Sequence, residues 1–299
     1  MTHVATLISN PSARSLDKQV LERAQTVLNH DSAPHWLAPG IAADISFTPQ
    51  AESNNRAIAD QVRSAIADYP IDVVVQAKVD RRKRLLVADM DSTMIGQECI
   101  DELADHVGLK SHVAAITERA MRGEIEFEPA LRERVALLKG LPVSVIDEII
   151  TNRIELTPGG PELVRTMRAH GAYTCLVSGG FTLFTGRIAN AIGFDIHLAN
   201  RLIIENGHLG GQVQEPILGR EAKLATLCHL TEHLKLGTME TLAVGDGAND
   251  LAMLQHAGLG IAFRAKPTVA AAAHARIEHG DLTALLYMQG YRIQQFVNR

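Results

Sequence analysis

Short apolar runs alternate along this chain with longer segments in which apolar residues recur at helical spacing. Four runs are short and predominantly apolar, which is typical of strands buried on both faces of a parallel sheet. They span residues 85–88, 173–178, 241–244 and 259–263. Helical spacing indicates helices over 182–193, 220–235 and 249–256. This alternation predicts an α/β fold with a doubly wound, mostly parallel sheet of the Rossmann type.

The first eighty residues have a pattern of their own. Strands are predicted at 3–8, 43–47 and 71–79, and helices at 16–29 and 55–68. We therefore expect a small α/β domain over residues 1–80, compatible with a βαββαβ arrangement. No residue in it indicates a ligand. Regulation of the rest of the chain, formation of a homodimer and simple packing all stay open as its role.

A second domain is expected over residues 81–299. Within it, residues 97–155 are charged and helical in pattern, without a clear strand, so we predict a helical insertion there. The Asn206-Gly207 pair stands between two extended segments and predicts a β-hairpin.

The composition is ordinary for a globular protein, and the net charge of −5 argues against nucleic acid or a membrane surface as a partner. The one basic cluster, residues 81–84, is interpreted as a solvated lead-in to the strand at 85–88. We expect no signal peptide and no segment that spans a bilayer. The three cysteines lack metal or redox spacing and fit a reducing compartment, so we expect a cytoplasmic protein.

Polar residues follow three of the predicted buried strands directly. They are Asp89-Met90-Asp91, Ser178-Gly179-Gly180 and Gly245-Asp246-Gly247-Ala248-Asn249-Asp250. Because the carboxyl ends of parallel strands meet at one edge of a sheet, we expect these residues to line one crevice. Several aspartates in one crevice would repel one another. A hard divalent cation with oxygen ligands, Mg²⁺ in particular, relieves that repulsion.

The same crevice contains groups suited to a phosphate. The Ser178 hydroxyl and the Gly179 N–H can donate to phosphate oxygens, and Lys223, near the start of a predicted helix, can neutralise phosphate charge. A carboxylate can attack phosphorus as a nucleophile. Residues i and i+2 lie on one side of a strand, so Asp89 and Asp91 can serve one substrate as nucleophile and acid/base. These residues predict phosphoryl-transfer chemistry.

Four short motifs resemble, in order, those of the haloacid dehalogenase-like superfamily. Asp89-Met90-Asp91-Ser92-Thr93 resembles the first motif, DxDxT, Ser178 the second, Lys223 the third, and Gly245-Asp246-Gly247-Ala248-Asn249-Asp250 the fourth. The resemblance covers roughly residues 84–295. It implies an HAD-like core with a helical cap inserted at about 97–155, which closes over the site as a mobile lid.

Within the superfamily, the chain resembles the phosphoserine phosphatases. The first motif with the following Glu98, and the stretch 121–135, carry this likeness. It implies Mg²⁺-dependent hydrolysis of L-phosphoserine, the last step of serine biosynthesis, with Asp89 forming an aspartyl-phosphate and Asp91 as acid/base. The other implied roles are metal binding by Asp89, Asp246 and the Asp91 carbonyl oxygen, ammonium binding by Glu98, carboxylate binding by Arg134, phosphate binding by Ser178, Gly179, Lys223 and Asn249, and support by Thr93, Gly180, Asp250, Met121 and Phe127.

Alternatives stay open at this level. Arg132 lies two residues from Arg134 and could bind the substrate carboxylate instead. The enzyme could act on another small phosphomonoester, or transfer the phosphoryl group to a hydroxyl other than water. A degenerate, regulatory phosphatase domain is disfavoured because the motif aspartates and Lys223 are intact.

A separate pattern, His229-Leu230-Thr231-Glu232-His233, matches the H-x-x-E-H signature of one zinc-protease class. Chance matches are expected in a chain with 13 histidines, and the segment lies in the predicted helix after Lys223. We interpret it as helix surface. Gly258-Leu259-Gly260 lacks the third glycine of a dinucleotide-binding fingerprint, so a nucleotide cofactor is not predicted.

Overall fold

The computed structural model describes residues 1–29, 33–49, 54–121 and 124–297, without the side chains at 120 and 121. Its first elements are β1 (His3–Ser9), α1 (Lys18–Val27), β2 (His35–Ala38), β3 (Ala42–Phe47), α2 (Asn55–Ala65) and β4 (Ile71–Ala77). The four strands form an antiparallel sheet in the order β2-β3-β1-β4. The element order is the βαββαβ arrangement, including β2, which the sequence pattern did not indicate.

The two faces of this sheet contact different parts of the chain. Val73 and Val75 of β4 pack with α1 and α2, whereas Val74 of β4 and Ile8 of β1 join the apolar core of the remaining chain. The division follows from the alternation of side chains along a strand. The sheet face opposite the two helices is therefore buried within the same chain.

Polar contacts at this interface correct the interpretation of the basic run at 81–84 as solvated. The Arg81 guanidinium forms a bidentate pair with Asp44 of β3, with Nη1–Oδ2 and Nη2–Oδ1 distances of 2.7 Å. Its Nε donates to the carbonyl oxygen of Met288 at 2.6 Å. Lys83 is also buried, and its Nζ donates to two backbone carbonyl oxygens at 2.7 Å. Two of the four charges are therefore structural, because partners from distant segments satisfy them.

Eight further strands lie in the described residues of the second part of the chain. They are β5 (Leu85–Ala88), β6 (Tyr173–Phe181), β7 (Ile196–Asn200), β8 (Leu202–Glu205), β9 (His208–Val213), β10 (Thr241–Gly245), β11 (Leu259–Phe263) and β12 (Ala275–Ile277). Six form a parallel sheet in the order β12-β11-β10-β5-β6-β7, and β8 and β9 form the predicted hairpin. The predicted parallel sheet is thus confirmed.

Helices cover both faces of the parallel sheet. The helices of this part are α3 (Cys99–His106), α4 (Lys110–Met121), α5 (Phe127–Ala136), α6 (Ser144–Asn152), α7 (Gly160–Ala169), α8 (Thr182–Ile192), α9 (Arg220–His233), α10 (Leu251–His256), α11 (Pro267–Ala272) and α12 (Ala284–Tyr287). Leu85 and Val87 of β5 pack in one apolar cluster and Leu86 and Ala88 in another. Alternate residues of one strand therefore face opposite helical layers, as in a doubly wound fold.

The inserted helices α3–α6 form a cap, and the hairpin β8–β9 contacts it. The N–H of Gly140, after α5, donates to the carbonyl oxygen of Leu209 at 2.8 Å, and the Leu209 N–H donates to that of Leu141 at 2.8 Å. An isolated bridge between Ile95 and Leu156 joins the two ends of the insertion. The two ends of the cap thus lie side by side. The hairpin packs against the cap, which the sequence did not predict.

Three of the strands that the sequence pattern did not indicate, β2, β7 and β12, are edge strands of their sheets. The edge strand β4 was predicted, because it is buried along nearly its whole length and has a continuous apolar run. The helices α7, α11 and α12 were not predicted either. α7 begins in the Pro158-Gly159-Gly160-Pro161 stretch, whose composition is typical of loops. No helix in the described ranges is long and apolar enough to cross a membrane.

Candidate active site

The carboxyl ends of β5, β6 and β10 lie side by side, because these are adjacent strands at the centre of the parallel sheet. Directly after β5, the Asp89 N–H donates to the carbonyl oxygen of Val244 in β10 at 3.0 Å. The chain then turns tightly through residues 90–94, with Ser92 at a positive φ of 55°. This turn places successive motif residues around the end of one strand.

Two buried carboxylates share one buried ammonium at the centre of this site. The Nζ of Lys223, in the first turns of α9, lies 2.6 Å from Oδ1 of Asp89 and 2.5 Å from Oδ1 of Asp250. Burial raises the pKa of Asp89 well above its usual value; Lys223 opposes this shift and Asp250 adds to it. Burial lowers the pKa of Lys223, but attraction to the two carboxylates outweighs it and the net shift is upward. Burial is thus the main cause of the Asp89 shift, whereas the two carboxylates cause the Lys223 shift.

Three carboxylates here could hold a metal ion. Asp89, Asp246 and Asp250 each offer an oxygen, and these oxygens all lie within 4.8 Å of one another. The Thr93 hydroxyl donates to Oδ1 of Asp246 at 3.3 Å. Burial and the neighbouring Asp250 raise the pKa of Asp246. An all-oxygen donor set with excess negative charge suits a hard divalent cation.

The side chain of Asp91 has other partners. Its Oδ1 accepts the N–H of Cys99, in the first turn of α3, at 2.9 Å, and its Oδ2 accepts the Ser178 hydroxyl at 2.8 Å. Ser178 in turn accepts the Gly180 N–H at 2.8 Å. A Cβ at Gly180 would lie 3.0 Å from the Ser178 Oγ and 3.3 Å from Oδ2 of Asp91, so the absence of a side chain there leaves room for this contact. Asp91 is thus held between the motif turn, β6 and the cap.

Glu98 stands at the entrance to the cap, immediately before α3. Glu98 is exposed. Its Oε1 accepts the Ser92 hydroxyl at 2.7 Å. Desolvation by surrounding protein raises the pKa of Glu98 to about 7, and the negative charges of Asp91 and Asp246 add to the shift. A carboxylate destabilised in this way gains from a cationic partner.

Arg134 of α5 is the second charged residue of the cap that faces this region. Its Nη1 donates to the Thr117 hydroxyl at 3.3 Å and its Nε to the Ala130 carbonyl oxygen at 3.2 Å. Burial lowers the pKa of Arg134, and the charges of Asp101 and Glu98 oppose the shift. Both carboxylates belong to the start of the cap, so the Arg134 guanidinium lies close enough to Glu98 for their charges to interact.

Arg132, the alternative to Arg134, has acidic partners of its own. Its Nη1 lies 2.5 Å from Oε1 of Glu215 and its Nη2 lies 3.6 Å from Oε2 of Glu128. Its guanidinium is thus paired within the protein. Arg134, in contrast, donates to two neutral oxygen acceptors.

The remaining predicted site residues differ in how far the structure describes them. Phe127, the first residue of α5, lies next to Gly179: a Cβ on that glycine would be 3.6 Å from its ring. Asn249, which stands between Asp246 and Asp250 in the sequence, is exposed. Met121 ends α4, and its side chain lies outside the described residues. The cap thus touches the loop at the end of β6 through the Phe127 ring.

The profile of the haloacid dehalogenase-like hydrolase family matches residues 86–255, which is more than half of the chain. The chain belongs to this family. It is 45% identical over 217 residues to the phosphoserine phosphatase of Archaeoglobus fulgidus, a match that covers 72% of this chain but only 63% of that protein. This hydrolase is therefore related over most of its length to enzymes of one named activity.

Solved structures agree with the family. A probable phosphoserine phosphatase from Vibrio cholerae matches 98% of this hydrolase and 88% of its own chain, with a TM-score of 0.79 and 30% identity. A substrate-bound phosphoserine phosphatase matches 69% of this hydrolase and 98% of its own chain, with a TM-score of 0.64 and 39% identity. The first match includes the amino-terminal sheet as well as the catalytic core.

The zinc-protease hypothesis finds no support in this hydrolase. His229 and His233 lie on the exposed side of α9, with ring centroids 6.0 Å apart. Within the described part of the chain, the one group of three or more metal-binding side chains is the aspartate cluster at the sheet edge. The histidine pair therefore has no third ligand there.

Sequence reasoning assigned no role to two hydroxyl side chains of the site, those of Ser92 and Thr117. Ser92 lies inside the first motif, so its position was visible but its contact with Glu98 was not. Thr117 contacts Arg134 across 17 residues, from α4 to α5. No local spacing connects two such positions, because the packing of two helices decides their contact.

Proposed function

We propose that this hydrolase converts L-phosphoserine and water to L-serine and phosphate, with Mg²⁺ as its metal ion. The observation that carries this proposal is the placement of one anionic and one cationic side chain, Glu98 and Arg134, in the cap beside a buried aspartate cluster. Phosphoserine has an ammonium, a carboxylate and a phosphate. Glu98 suits the ammonium, and Arg134 suits the carboxylate because its planar fork can bind both oxygens. The relatives named phosphoserine phosphatase support the same substrate.

The reaction takes two steps. In the first, a carboxylate oxygen of Asp89 attacks the phosphorus, the bond from phosphorus to the serine oxygen breaks, and Asp91 gives its proton to that oxygen. In the second, Asp91 takes a proton from water, the water oxygen attacks the phosphorus, and the bond from phosphorus to Asp89 breaks. Phosphate leaves and both aspartates return to their starting states.

Neighbouring groups stabilise the charge that develops on the phosphoryl oxygens. The Lys223 ammonium already lies 2.6 Å from Asp89 and needs little movement to contact a transferred phosphoryl group. The Ser178 hydroxyl and the Gly179 N–H can donate to phosphoryl oxygens, and exposed Asn249 can join them. A bound Mg²⁺, held by Asp89, Asp246 and the Asp91 carbonyl oxygen with Asp250 in support, would supply further positive charge.

The decisive experiment measures phosphate release from L-phosphoserine, with other phosphomonoesters and acceptor alcohols alongside. We expect selective release from phosphoserine that EDTA abolishes and added Mg²⁺ restores. Asp89→Asn should lose at least about a thousandfold in kcat, because an amide is a poor nucleophile; Asp105→Asn, an exposed acid of the cap, is the control. Selective release from another ester, or transfer to the alcohols, would establish the alternative substrate or acceptor. Full turnover by Asp89→Asn would reject the mechanism.

We further propose that residues 1–80 form a separate domain that mediates homodimerisation or regulation. Because one sheet face is buried against the rest of the chain, a partner would contact the helical face or the open edge of β2. Sedimentation equilibrium of the full chain should give the mass of a dimer; a monomer at all concentrations would reject dimerisation. A cytoplasmic location is also proposed, supported by three cysteines that are all free thiols.

A further inference from the structure

Glu98 and Arg134 of the cap each contact one hydroxyl group. The Ser92 hydroxyl donates to Oε1 of Glu98 at 2.7 Å, a short contact to a charged acceptor. Ser92 has a positive φ of 55°, a backbone conformation that residues other than glycine rarely adopt. This turn brings the Ser92 hydroxyl into contact with Glu98, immediately before α3 of the cap.

The hydroxyl of Thr117 has a fixed orientation. Its Oγ1 donates to the carbonyl oxygen of Val113, one turn earlier in α4, at 3.0 Å. The hydroxyl proton is thus engaged, and the oxygen can accept the Nη1 of Arg134 at 3.3 Å. The second contact of that guanidinium is the Ala130 carbonyl oxygen. Both partners are neutral acceptors, so they orient the guanidinium and leave its charge available.

We propose that Ser92 and Thr117 are positioning residues for substrate recognition, Ser92 through Glu98 for the ammonium and Thr117 through Arg134 for the carboxylate. This inference rests on the proposed function and deepens it. Glu and Arg side chains lose much rotamer freedom when they are fixed. A hydroxyl that fixes them before the substrate arrives removes that cost from binding.

Four phosphomonoesters separate the two contributions. L-Phosphoserine has both charged groups, phosphoethanolamine has only the ammonium, 3-phosphooxypropionate has only the carboxylate, and p-nitrophenyl phosphate has neither. The quantity measured is kcat/KM for each ester, with kcat and KM resolved where saturation is reached.

The variants Ser92→Ala and Thr117→Val should give opposite selectivity changes. Ser92→Ala should lower kcat/KM for phosphoserine and phosphoethanolamine about tenfold more than for 3-phosphooxypropionate, mainly through KM. Thr117→Val should lower it for phosphoserine and 3-phosphooxypropionate about tenfold more than for phosphoethanolamine. Thr117→Ser, which keeps the hydroxyl, should restore most of the loss.

Two further variants test whether the hydroxyls are responsible. Thr151 of α6 makes the same bond to the carbonyl oxygen one turn earlier, at 2.7 Å, but lies at an exposed position. Thr151→Val is therefore a matched control for Thr117→Val and should leave the ratios between the esters unchanged. Ser92→Gly removes the hydroxyl and the constraint of positive φ together, so it should share the selectivity change of Ser92→Ala.

Equal losses on all four esters in Ser92→Ala and Thr117→Val would show a structural role and overturn the inference, as would changes below about twofold. Both results would leave the proposed function intact, because the unaltered enzyme would still prefer phosphoserine. An unaltered enzyme that hydrolyses the four esters equally well would instead reject the proposed function, and this inference with it.

Discussion

Replacing Arg81 by alanine should strongly destabilise the contact between the amino-terminal sheet and the rest of the chain. Only 14% of its side chain and 8% of that of Asp44 are exposed, and two bonds of 2.7 Å join them. The guanidinium also donates to the Thr6 hydroxyl at 2.8 Å and to the Met288 carbonyl oxygen at 2.6 Å. Arg81→Ala would leave the Asp44 carboxylate buried without its counter-ion.

Removing one partner from a buried ion pair costs about 3–5 kcal/mol. The adjacent Arg82 is the matched control: it is exposed, and its guanidinium lies 4.0 Å from the ring centroid of Tyr291. Arg82→Ala should therefore cost about 0.5–1 kcal/mol, as expected for an exposed cation–π contact.

Urea denaturation followed by tryptophan fluorescence measures both losses, because the single tryptophan, Trp36, lies in β2 of the sheet concerned. We expect the transition of Arg81→Ala at a clearly lower urea concentration than that of Arg82→Ala. A loss of less than about 1 kcal/mol for Arg81→Ala, no greater than for Arg82→Ala, would refute the assignment of Arg81 as a structural, buried cation.

Three further predictions concern packing, pH and polar contacts. Gly260→Ala should cost about 3 kcal/mol or more of stability, because a Cβ there would overlap a backbone carbonyl oxygen of α10. Gly96→Ala is the control and should cost less than about 1 kcal/mol, because a Cβ there would have nothing within 4 Å. Thermal unfolding measures both, and equal costs would contradict the close packing at Gly260. The affinity of the metal-free enzyme for phosphoserine should rise as pH increases through about 7, because Glu98 must lose its proton before it attracts the ammonium. Calorimetric titration between pH 6.5 and 8 should show this rise. Glu98→Gln should abolish it. Asp72→Ala should cost about 2–3 kcal/mol of stability, because the Asp72 carboxylate accepts backbone N–H groups of the turn after β12 at 2.7–3.2 Å. Asp68→Ala is the control and should cost little in the same denaturation assay, because the Asp68 side chain is 84% exposed.

The sequence predicted the strands at the centre of the parallel sheet and missed those at the edges. Central strands such as β5 and β10 are buried on both faces, so their apolar composition is itself the signal. The edge strands β2, β7 and β12 lack that signal, and their hydrogen bonds to a neighbouring strand identify them as strands. Local chemistry was also sufficient for the hairpin, since the Asn206-Gly207 turn suits φ values of 50° and 77°.

What the sequence by itself determined is a set of polar groups at strand ends: aspartates, a serine and glycines. Their spacing fixes their side of the strand, and their chemistry suits a phosphoryl group. Tertiary structure decided which of these groups form hydrogen bonds and ion pairs with one another. Lys223 becomes the counter-ion of Asp89 and Asp250 only because α9 packs over the sheet edge. Arg134 is distinguished from Arg132 because the loop at 214–218 supplies Glu215 to the latter. Burial and pairing depend on residues far apart in the chain, and they set the charge, the pKa and the orientation of each group.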